Sequence, residues 1–327
     1  MMKIRYSYVK TVVNALFINL KISFYPIDVF NIGKNIKNCR IVSYSTHRGN
    51  YNLTKEEVIE NFGSEEGCTI YNAKKHRYLV FYNDLNIHYK TPPRRRWTIA
   101  HELGHILLNH LTTTNKVKIF RNDLTDDEYE WFEVEANRFA SLLLANPIIL
   151  YKLDIKNYVD IMKICNLSEE ASKHRFNDYS KWIKNKYANN YDSTIIYQFY
   201  DFIHKKQCLN CGHAFVAQTA KYCPICGHDG LIRGDGTMIY PGYKVTEKGQ
   251  LMQCIRCQNE EIEESTYYCK ICGASVVNEC SNCRQPSDSN ARYCISCGSE
   301  TTFYKQGLLP SQEEAAAAIN NDFLGPV

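Results

Sequence analysis

A short stretch near residue 100 carries the side chains best suited to hold a catalytic metal ion. It is the HExxH pattern His101-Glu102-Leu103-Gly104-His105, set among apolar residues at helical spacing. Two histidines four positions apart project from one helical face, which is the separation needed to bind one zinc ion. Glu102 lies beside them, where it can take a proton from water that the metal has made more acidic. The pattern therefore indicates zinc-dependent hydrolysis with Glu102 as the base.

A third zinc ligand is expected on a second helix, in the segment FEVEANRFA at residues 132–140. Glu133 and Asn137 share a helical face with two alanines, which are small enough to let this helix approach the first one closely. We predict that Glu133 binds the zinc and that Asn137 hydrogen-bonds a zinc-binding histidine. Glu135 points elsewhere on the helical wheel and is the alternative ligand.

His110 is a further candidate ligand, because it follows His105 by five residues. No glycine stands there to turn the chain back, as one does in metzincins, and a helix continuing to about Leu111 points His110 away from the metal. We therefore interpret His110 as a structural residue.

The elements around these residues follow from proline positions and periodicity. Thr91-Pro92-Pro93 precedes the HExxH helix, expected over about Arg94 to Leu111, because proline is well tolerated in the first helical turn. The second helix is expected over about Tyr129 to Leu144, before Asn146-Pro147. Residues 67–71 and 76–82 have the composition of two paired strands. Residues 148–206 are expected to be largely helical.

The second half of the chain contains a repeated cysteine motif. Twelve of the 15 cysteines form six CxxC pairs, and the pairs combine into three units with gaps of eleven, eleven and ten residues. Each CxxC turn, or knuckle, supplies two thiolates, and two knuckles complete a tetrahedral zinc site. The predicted ligands are Cys208, Cys211, Cys223 and Cys226 in ribbon 1; Cys254, Cys257, Cys269 and Cys272 in ribbon 2; and Cys280, Cys283, Cys294 and Cys297 in ribbon 3. The cofactors predicted for the whole chain are one catalytic and three structural zinc ions.

Three segments of the chain resemble the ImmA/IrrE family of metallopeptidases. They are Arg96-Trp97-Thr98-Ile99-Ala100-HELGH, then Glu133-x-Glu135-Ala136-Asn137, and a Leu-Leu-Leu-x-x-Pro that ends at Pro147. The resemblance covers about residues 20 to 185. It implies a small gluzincin-like α+β domain in which His101, His105 and Glu133 bind zinc and Glu102 is the base. It also implies a regulatory endopeptidase that cuts a repressor or another transcriptional regulator. The ribbons, and the lack of a helix-turn-helix pattern ahead of the peptidase region, depart from the family pattern.

The expected fold class is α+β, with a gluzincin-like metallopeptidase domain followed by three small β-rich zinc ribbons. The predicted domains are residues 1–206 for the peptidase, 207–230 for ribbon 1, 231–250 for a linker, 251–300 for ribbons 2 and 3, and 301–327 for a tail. By analogy with ImmA/IrrE family members, the resemblance implies that the strand residues Tyr78, Leu79, Val80 and Phe81 pair with an extended substrate.

Charge and hydropathy narrow the choice of partners. Residues 251–300 carry four basic and seven acidic side chains, so phosphate binding and hence nucleic acid are disfavoured there. A protein partner at the ribbons is preferred. The apolar stretch Thr11 to Leu20 is too short to span a bilayer, and the paired cysteines favour metal sites over disulfides, so the expected location is cytoplasmic. The alternative function is a non-proteolytic regulatory or nucleic-acid-binding protein that uses the peptidase fold as a sensor.

Overall fold

The computed structural model describes residues 3–88, 91–113, 126–184, 190–234, 236 and 238–323. It divides the chain into two compact units, Met1–Ile203 and His204–Val327. The fold class is confirmed: the first unit mixes helices with a small sheet, and the second contains the three cysteine units. Within the described ranges, no helix combines the length and the apolar character needed to cross a membrane.

The first unit is mainly helical. Its core joins side chains such as Val13 and Phe17 of the first helix to Leu103 and Phe139, all fully buried. Its helices are α1 (Tyr6–Asn19), α2 (Val29–Asn35), α3 (Tyr44–Tyr51), α4 (Lys55–Phe62), α5 (Pro92–Leu107), α6 (His110–Thr113), α7 (Asp126–Leu144), α8 (Pro147–Lys152), α9 (Tyr158–Cys165), α10 (Glu169–Lys184), α11 (Asn190–Gln198) and α12 (Tyr200–His204), the last ending one residue beyond the unit boundary.

Local sequence signals explain where several of these helices begin. Helix α4 starts with a capping box, in which Thr54 and Glu57 each bond the other's backbone N–H. Helix α5 begins at Pro92, and α8 begins at Pro147 behind the N-cap Asn146. Residues 114–125, between α6 and α7, lie outside the described residues.

The sheet of the first unit has three strands in the order β1-β3-β2. They are β1 (Cys39–Ser43), β2 (Gly67–Asn72) and β3 (Arg77–Tyr82). Strand β3 lies in the centre, parallel to β1 and antiparallel to β2, with Thr69 opposite Val80. The sequence predicted β2 and β3 as a pair, but it did not predict β1.

The second unit contains a small sheet and short helices around the three cysteine clusters. Strand β4 (Lys205–Cys208) lies between β5 (Ala214–Val216) and β6 (Leu231–Ile232). Helices α13 (Thr302–Lys305) and α14 (Gln312–Phe323) follow the last knuckle. Part of the segment predicted as a linker is packed into this unit, since Tyr240 and Gln250 are both buried.

Candidate metal centres

The candidate catalytic site lies where α5 and α7 pack together. Gly104 of α5 faces α7 so closely that a Cβ there would be 3.3 Å from Ala136 Cα and 3.1 Å from Phe139 Cδ1. Ala136 and Ala140 are fully buried, as expected for residues that allow two helices to approach each other. The close approach brings the second helix of the predicted site against the HExxH helix.

His101, His105 and Glu133 converge at this contact. The two histidine Nε2 atoms are 3.0 Å apart, and the Glu133 carboxylate oxygens lie 3.3 Å from His101 Nε2 and 3.5 Å from His105 Nε2. A tetrahedral zinc ion with nitrogen and oxygen ligands at about 2.0–2.1 Å places those ligands roughly 3.3 Å apart. The three side chains therefore fit one zinc ion. Three protein ligands are the number typical of a catalytic zinc, because water takes the fourth position.

Asn137 supports the first histidine from behind. Its Oδ1 is 3.0 Å from His101 Nδ1, the ring nitrogen that faces away from the other ligands. If His101 Nε2 binds a metal, Nδ1 carries the ring proton and donates a hydrogen bond to the amide oxygen. This bond fixes both the ring orientation and the tautomer of His101.

Glu102 is 8% exposed and lines the same cleft as the three ligands. The Thr69 hydroxyl of β2 donates a hydrogen bond of 2.8 Å to Glu102 Oε2. Thr69 thus orients the carboxylate that the sequence predicts to be the base. Sequence reasoning missed Thr69, because nothing in its local pattern indicates that β2 lies against α5.

The cleft has a volume of about 440 Å³. Its walls come from the end of α4, from β2 and from helices α5 and α7. Besides the ligands and Glu102, its lining residues include Gly67, Cys68, Thr69, Arg94, Trp97, Tyr129 and Asn137. Arg94 forms an ion pair with Glu66 at the rim.

His110 contacts the zinc-binding group without being part of it. Helix α5 ends at Leu107, not at Leu111 as predicted, and Asn109 adopts a φ of 61° that turns the chain. Asparagine is one of the few residues that tolerates this left-handed conformation, so it replaces the glycine that the sequence lacks. His110 Nδ1 then lies 3.0 Å from His105 Nδ1, and its side chain is fully buried.

Glu135, the alternative ligand, lies behind His110. Its Oε2 is 3.0 Å from His110 Nε2, and the same carboxylate accepts bonds from the Arg5 backbone N–H at 2.7 Å and from Arg5 Nη2 at 2.6 Å. A continuous hydrogen-bond chain therefore runs from His105 through His110 and Glu135 to Arg5. Glu135 is 3% exposed, and within the described residues it is not grouped with the zinc ligands.

If His105 Nε2 binds a metal, only one assignment of protons allows every hydrogen bond from His105 to Glu135 to form. His105 Nδ1 then carries the proton and donates to His110 Nδ1, and His110 Nε2–H donates to the Glu135 carboxylate. Burial lowers the pKa of His110 to about 4, although Glu135 opposes the shift. Burial raises the pKa of Glu135, but the hydrogen bonds from Arg5 outweigh it and bring the pKa below its usual value. A neutral His110 beside an ionised Glu135 agrees with the assignment.

The two ligand histidines differ in their titration. Burial is the main reason that the pKa of His105 lies well below its usual value, and the charges of the neighbouring His101 and His110 lower it further. Burial also lowers the pKa of His101, but its hydrogen bond to Glu133 and the charge of Glu102 outweigh burial and raise it. His105 is therefore kept in the neutral form that a metal requires.

The prediction that residues Tyr78 to Phe81 pair with a substrate is wrong. These residues belong to β3, which pairs with β1 on one edge and with β2 on the other from Tyr78 to Tyr82. A central strand has no unpaired backbone groups left for a peptide. Within the described residues, β2 is the edge strand beside the cleft, and its Gly67, Cys68 and Thr69 line the cleft.

Each of the three predicted cysteine sets forms a compact cluster. The ligand atoms of each set lie within 4.8 Å of one another. Sulfur atoms of opposite knuckles are 3.5 and 3.6 Å apart in ribbon 1, 3.5 and 3.6 Å in ribbon 2, and 3.4 and 3.7 Å in ribbon 3. Four sulfurs around zinc at about 2.3 Å lie roughly 3.8 Å apart. All twelve cysteines are free of disulfide bonds, so the clusters fit three structural zinc ions.

Two protein-family models match the chain. Residues 59–177 match the IrrE N-terminal-like domain of the peptidase M78 family, and residues 254–298 match the double zinc ribbon. The first match contains the HExxH motif and Glu133; the second contains ribbons 2 and 3. A search of curated proteins returned no match.

Proposed function

We propose, on the premise that residues 59–177 belong to the IrrE N-terminal-like peptidase family, that this chain is a zinc-dependent endopeptidase that hydrolyses a specific protein. The observation that carries the proposal is the convergence of His101, His105 and Glu133 in one cleft with Glu102. Zinc bound by the three ligands would polarise a water molecule and a peptide carbonyl. A binding scaffold would need no buried carboxylate oriented towards such a site.

Glu102 accepts the proton of the attacking water and passes it to the leaving amine. Thr69 holds the carboxylate in place through its 2.8 Å hydrogen bond, so little reorganisation is needed before the proton moves. Tyr129 and Arg94 also line the cleft and carry donors that can stabilise the oxygen anion formed at the scissile carbonyl.

The substrate lies along β2 in an extended conformation. As an edge strand, β2 can pair with a peptide on the side away from β3, and it lines the cleft that contains Glu102. A peptide added to that edge would pass in front of the zinc-binding group, with its carbonyl within reach of the base.

The substrate is a repressor or another transcriptional regulator, and the ribbons serve to dock a protein. The first statement rests on the resemblance to ImmA/IrrE peptidases. The second rests on charge, because ribbon 2 places Glu260, Glu261, Glu263 and Glu264 in an exposed or half-exposed stretch that would repel phosphates.

The substitution Glu102→Gln tests the proposal. It removes the base while it retains the size of the side chain, so the variant should keep four zinc ions per chain and lose cleavage. Cells that produce the parent or the variant would be compared by quantitative mass spectrometry of new protein termini. We expect one or a few shortened proteins that depend on Glu102, among them a regulator of transcription.

Two further variants make the result specific. Glu130→Gln changes an exposed carboxylate on α7 and should leave cleavage unchanged. His101→Ala should reduce the zinc content from four to three. If Glu102→Gln cleaves as well as the parent, Glu102 is not the base and the proposed mechanism is wrong. If the parent cleaves nothing and His101→Ala loses no zinc, the chain is a non-proteolytic regulator.

A further inference from the structure

Ribbons 1 and 3 dock on each other through their second knuckles in a reciprocal way. The N–H groups of Lys221 and Tyr222 donate to Ile295 O at 2.7 and 3.0 Å. The N–H groups of Arg292 and Tyr293 donate to Pro224 O at 2.7 and 3.0 Å. Each knuckle thus gives two donors and accepts two hydrogen bonds at one carbonyl, at equivalent positions of the same motif. Two such knuckles are related by an approximate twofold axis.

The same axis relates two ring contacts. The Tyr293 ring covers Gly227, where a Cβ would be 3.0 Å from the ring, and the Tyr222 ring covers Gly298, where a Cβ would be 3.1 Å from it. Both glycines have left-handed φ angles, 72° and 73°. The sequence Tyr-Cys-x-x-Cys-Gly is therefore a self-complementary surface: its tyrosine fits over the glycine of a second knuckle of the same type.

Ribbon 2 carries the same motif, Tyr268-Cys269-Lys270-Ile271-Cys272-Gly273, without a partner knuckle. Tyr268 is 60% exposed and Ile271 is 67% exposed. Nothing among the described residues lies within 4 Å of a Cβ built on Gly273, although its φ of 70° matches the two covered glycines. In the described part of the chain, the N–H groups of Tyr267 and Tyr268 donate no hydrogen bond and the Lys270 carbonyl accepts none. Every group used between ribbons 1 and 3 is thus free in ribbon 2.

We propose that the second knuckle of ribbon 2 docks onto the same knuckle of a second copy of this chain, across a true twofold axis. Tyr268 of one copy covers Gly273 of the other, and the N–H groups of Tyr267 and Tyr268 donate to Lys270 O of the other copy. A self-complementary patch forms a closed dimer, because each contact occurs twice. The inference deepens the docking role proposed above for the ribbons, and it is independent of the peptidase chemistry.

Size and charge set the strength of this contact. Interfaces below about 1,200 Å² are typical of weak, transient complexes, and two facing knuckles form a small interface. Lys270 is paired with Glu261 at 3.0 Å and Glu263 at 3.8 Å, so each face carries a small negative excess. Two like-charged faces repel each other, and salt screens this repulsion. The dimer should therefore become stronger as the salt concentration rises.

The substitution Gly273→Asn tests the contact in the full-length, zinc-loaded chain. Asparagine tolerates a left-handed φ, and the space around Gly273 within a single copy is open, so the fold and the zinc content should be preserved. The new side chain would occupy the place of the second copy's Tyr268 ring. Gly249→Asn is the matched control, since Gly249 has a φ of 75° and equally open space but lies outside the knuckle.

Sedimentation equilibrium from about 10 µM to about 1 mM would measure dimerisation of the parent and both variants. We expect Gly273→Asn to weaken the dimer by roughly 10- to 30-fold and Gly249→Asn to leave it unchanged. Hydrogen exchange of the Tyr267 and Tyr268 amides should slow with protein concentration in the parent and in Gly249→Asn, but much less in Gly273→Asn.

Three outcomes would overturn the proposal. The parent could remain a monomer at every concentration and salt level. It could form a dimer that Gly273→Asn leaves intact, which would place the interface elsewhere. Or the Tyr267 and Tyr268 amides could become protected only when a different zinc-ribbon protein is added, which would make the partner another chain. Because cleavage is not measured, these results do not depend on the peptidase assignment.

Discussion

Each histidine of the candidate catalytic site is hydrogen-bonded by a side chain outside the group of three candidate ligands. Asn137 fixes His101 directly, whereas His105 depends on the longer chain through His110 and Glu135 to Arg5. Partners of this kind set the ring orientation and the basicity of a ligand. The zinc affinity of the site should therefore depend on residues that lie well away from the ion.

Glu135→Gln should weaken zinc binding at the catalytic site by roughly 10- to 100-fold, because the uncharged amide stabilises the His110–His105 chain less well and leaves Arg5 without its ion-pair partner. Native mass spectrometry during titration with a chelator would follow the change from four bound zinc ions to three. Glu130→Gln, on the exposed face of the same helix, is the control. If the chelator titration of Glu135→Gln is unchanged, the hydrogen bonds from His105 through His110 and Glu135 to Arg5 only stabilise the fold.

Thr69→Val should reduce the cleavage rate by about 10-fold or more, since a hydrogen bond to a charged group contributes about 1.5–3 kcal/mol. Valine has nearly the shape of threonine but lacks the hydroxyl that donates to Glu102. Zinc content should stay at four, and Thr69→Ser should retain most of the activity. The cleavage rate would be measured on a substrate identified by the mass spectrometry of new protein termini described above. Equal rates for the valine and serine variants would contradict the role given to Thr69.

At the scale of elements, the site depends on how closely α5 and α7 approach. Gly104 lies inside the HExxH motif, and its missing side chain leaves room for Ala136 and Phe139 of α7. If α7 moved outwards, Glu133 would move away from the two histidines. The packing of this pair of helices therefore determines whether three ligands can reach one ion.

Gly104→Ala should destabilise the first unit by about 1–3 kcal/mol, because the added methyl group overfills a closely packed contact. It should also weaken zinc binding, since it separates the helix that carries Glu133 from the helix that carries the histidines. Gly49→Ala in α3 is the matched control: nothing described lies within 4 Å of its Cβ, so alanine should stabilise that helix by about 0.5–1 kcal/mol. Chemical denaturation would measure both variants, and equal unfolding free energies would contradict the packing argument.

Sequence alone identified the parts of the site that lie within a single helix or knuckle. The spacing of HExxH, of Glu133 and Asn137, and of the CxxC pairs follows from local geometry, and the structure brings these residues together as groups. Local sequence patterns could not predict the roles of Thr69 and Arg5, because both are far along the chain from their partners. Thr69 precedes Glu102 by 33 residues, and Arg5 precedes Glu135 by 130 residues. The position of β3 was also beyond local patterns, since strand order depends on β1, which has no strong strand signal.

At the scale of the whole molecule, the two units are stabilised by different means. The first has an extensive apolar core that joins α1, α5, α7, α10 and α11. The second has small clusters in which the cysteines themselves are among the buried residues, such as Cys208 and Cys223 with Ile225 and Tyr240. A unit of this kind depends on bound metal for its folding.

Removal of all zinc with a strong chelator under reducing conditions should unfold the second unit and leave the first folded. Limited proteolysis followed by mass spectrometry should then yield a resistant fragment close to residues 1–203, whereas the zinc-loaded chain should resist cleavage in both units. The catalytic zinc would also be lost, but the core of the first unit does not include it. Rapid digestion of both units after chelation would show that the first unit also requires metal.

The binding of a substrate along the edge strand β2, as proposed, would limit which proteins can be cleaved. A polypeptide that adds to this edge must present several consecutive backbone amides and carbonyls that its own fold does not use. Such groups are available only where the target is locally unfolded, in a hinge, a frayed terminus or a melted helix. Turnover of a target would then follow how often that region opens, and a ligand that rigidified the target would protect it without touching the enzyme.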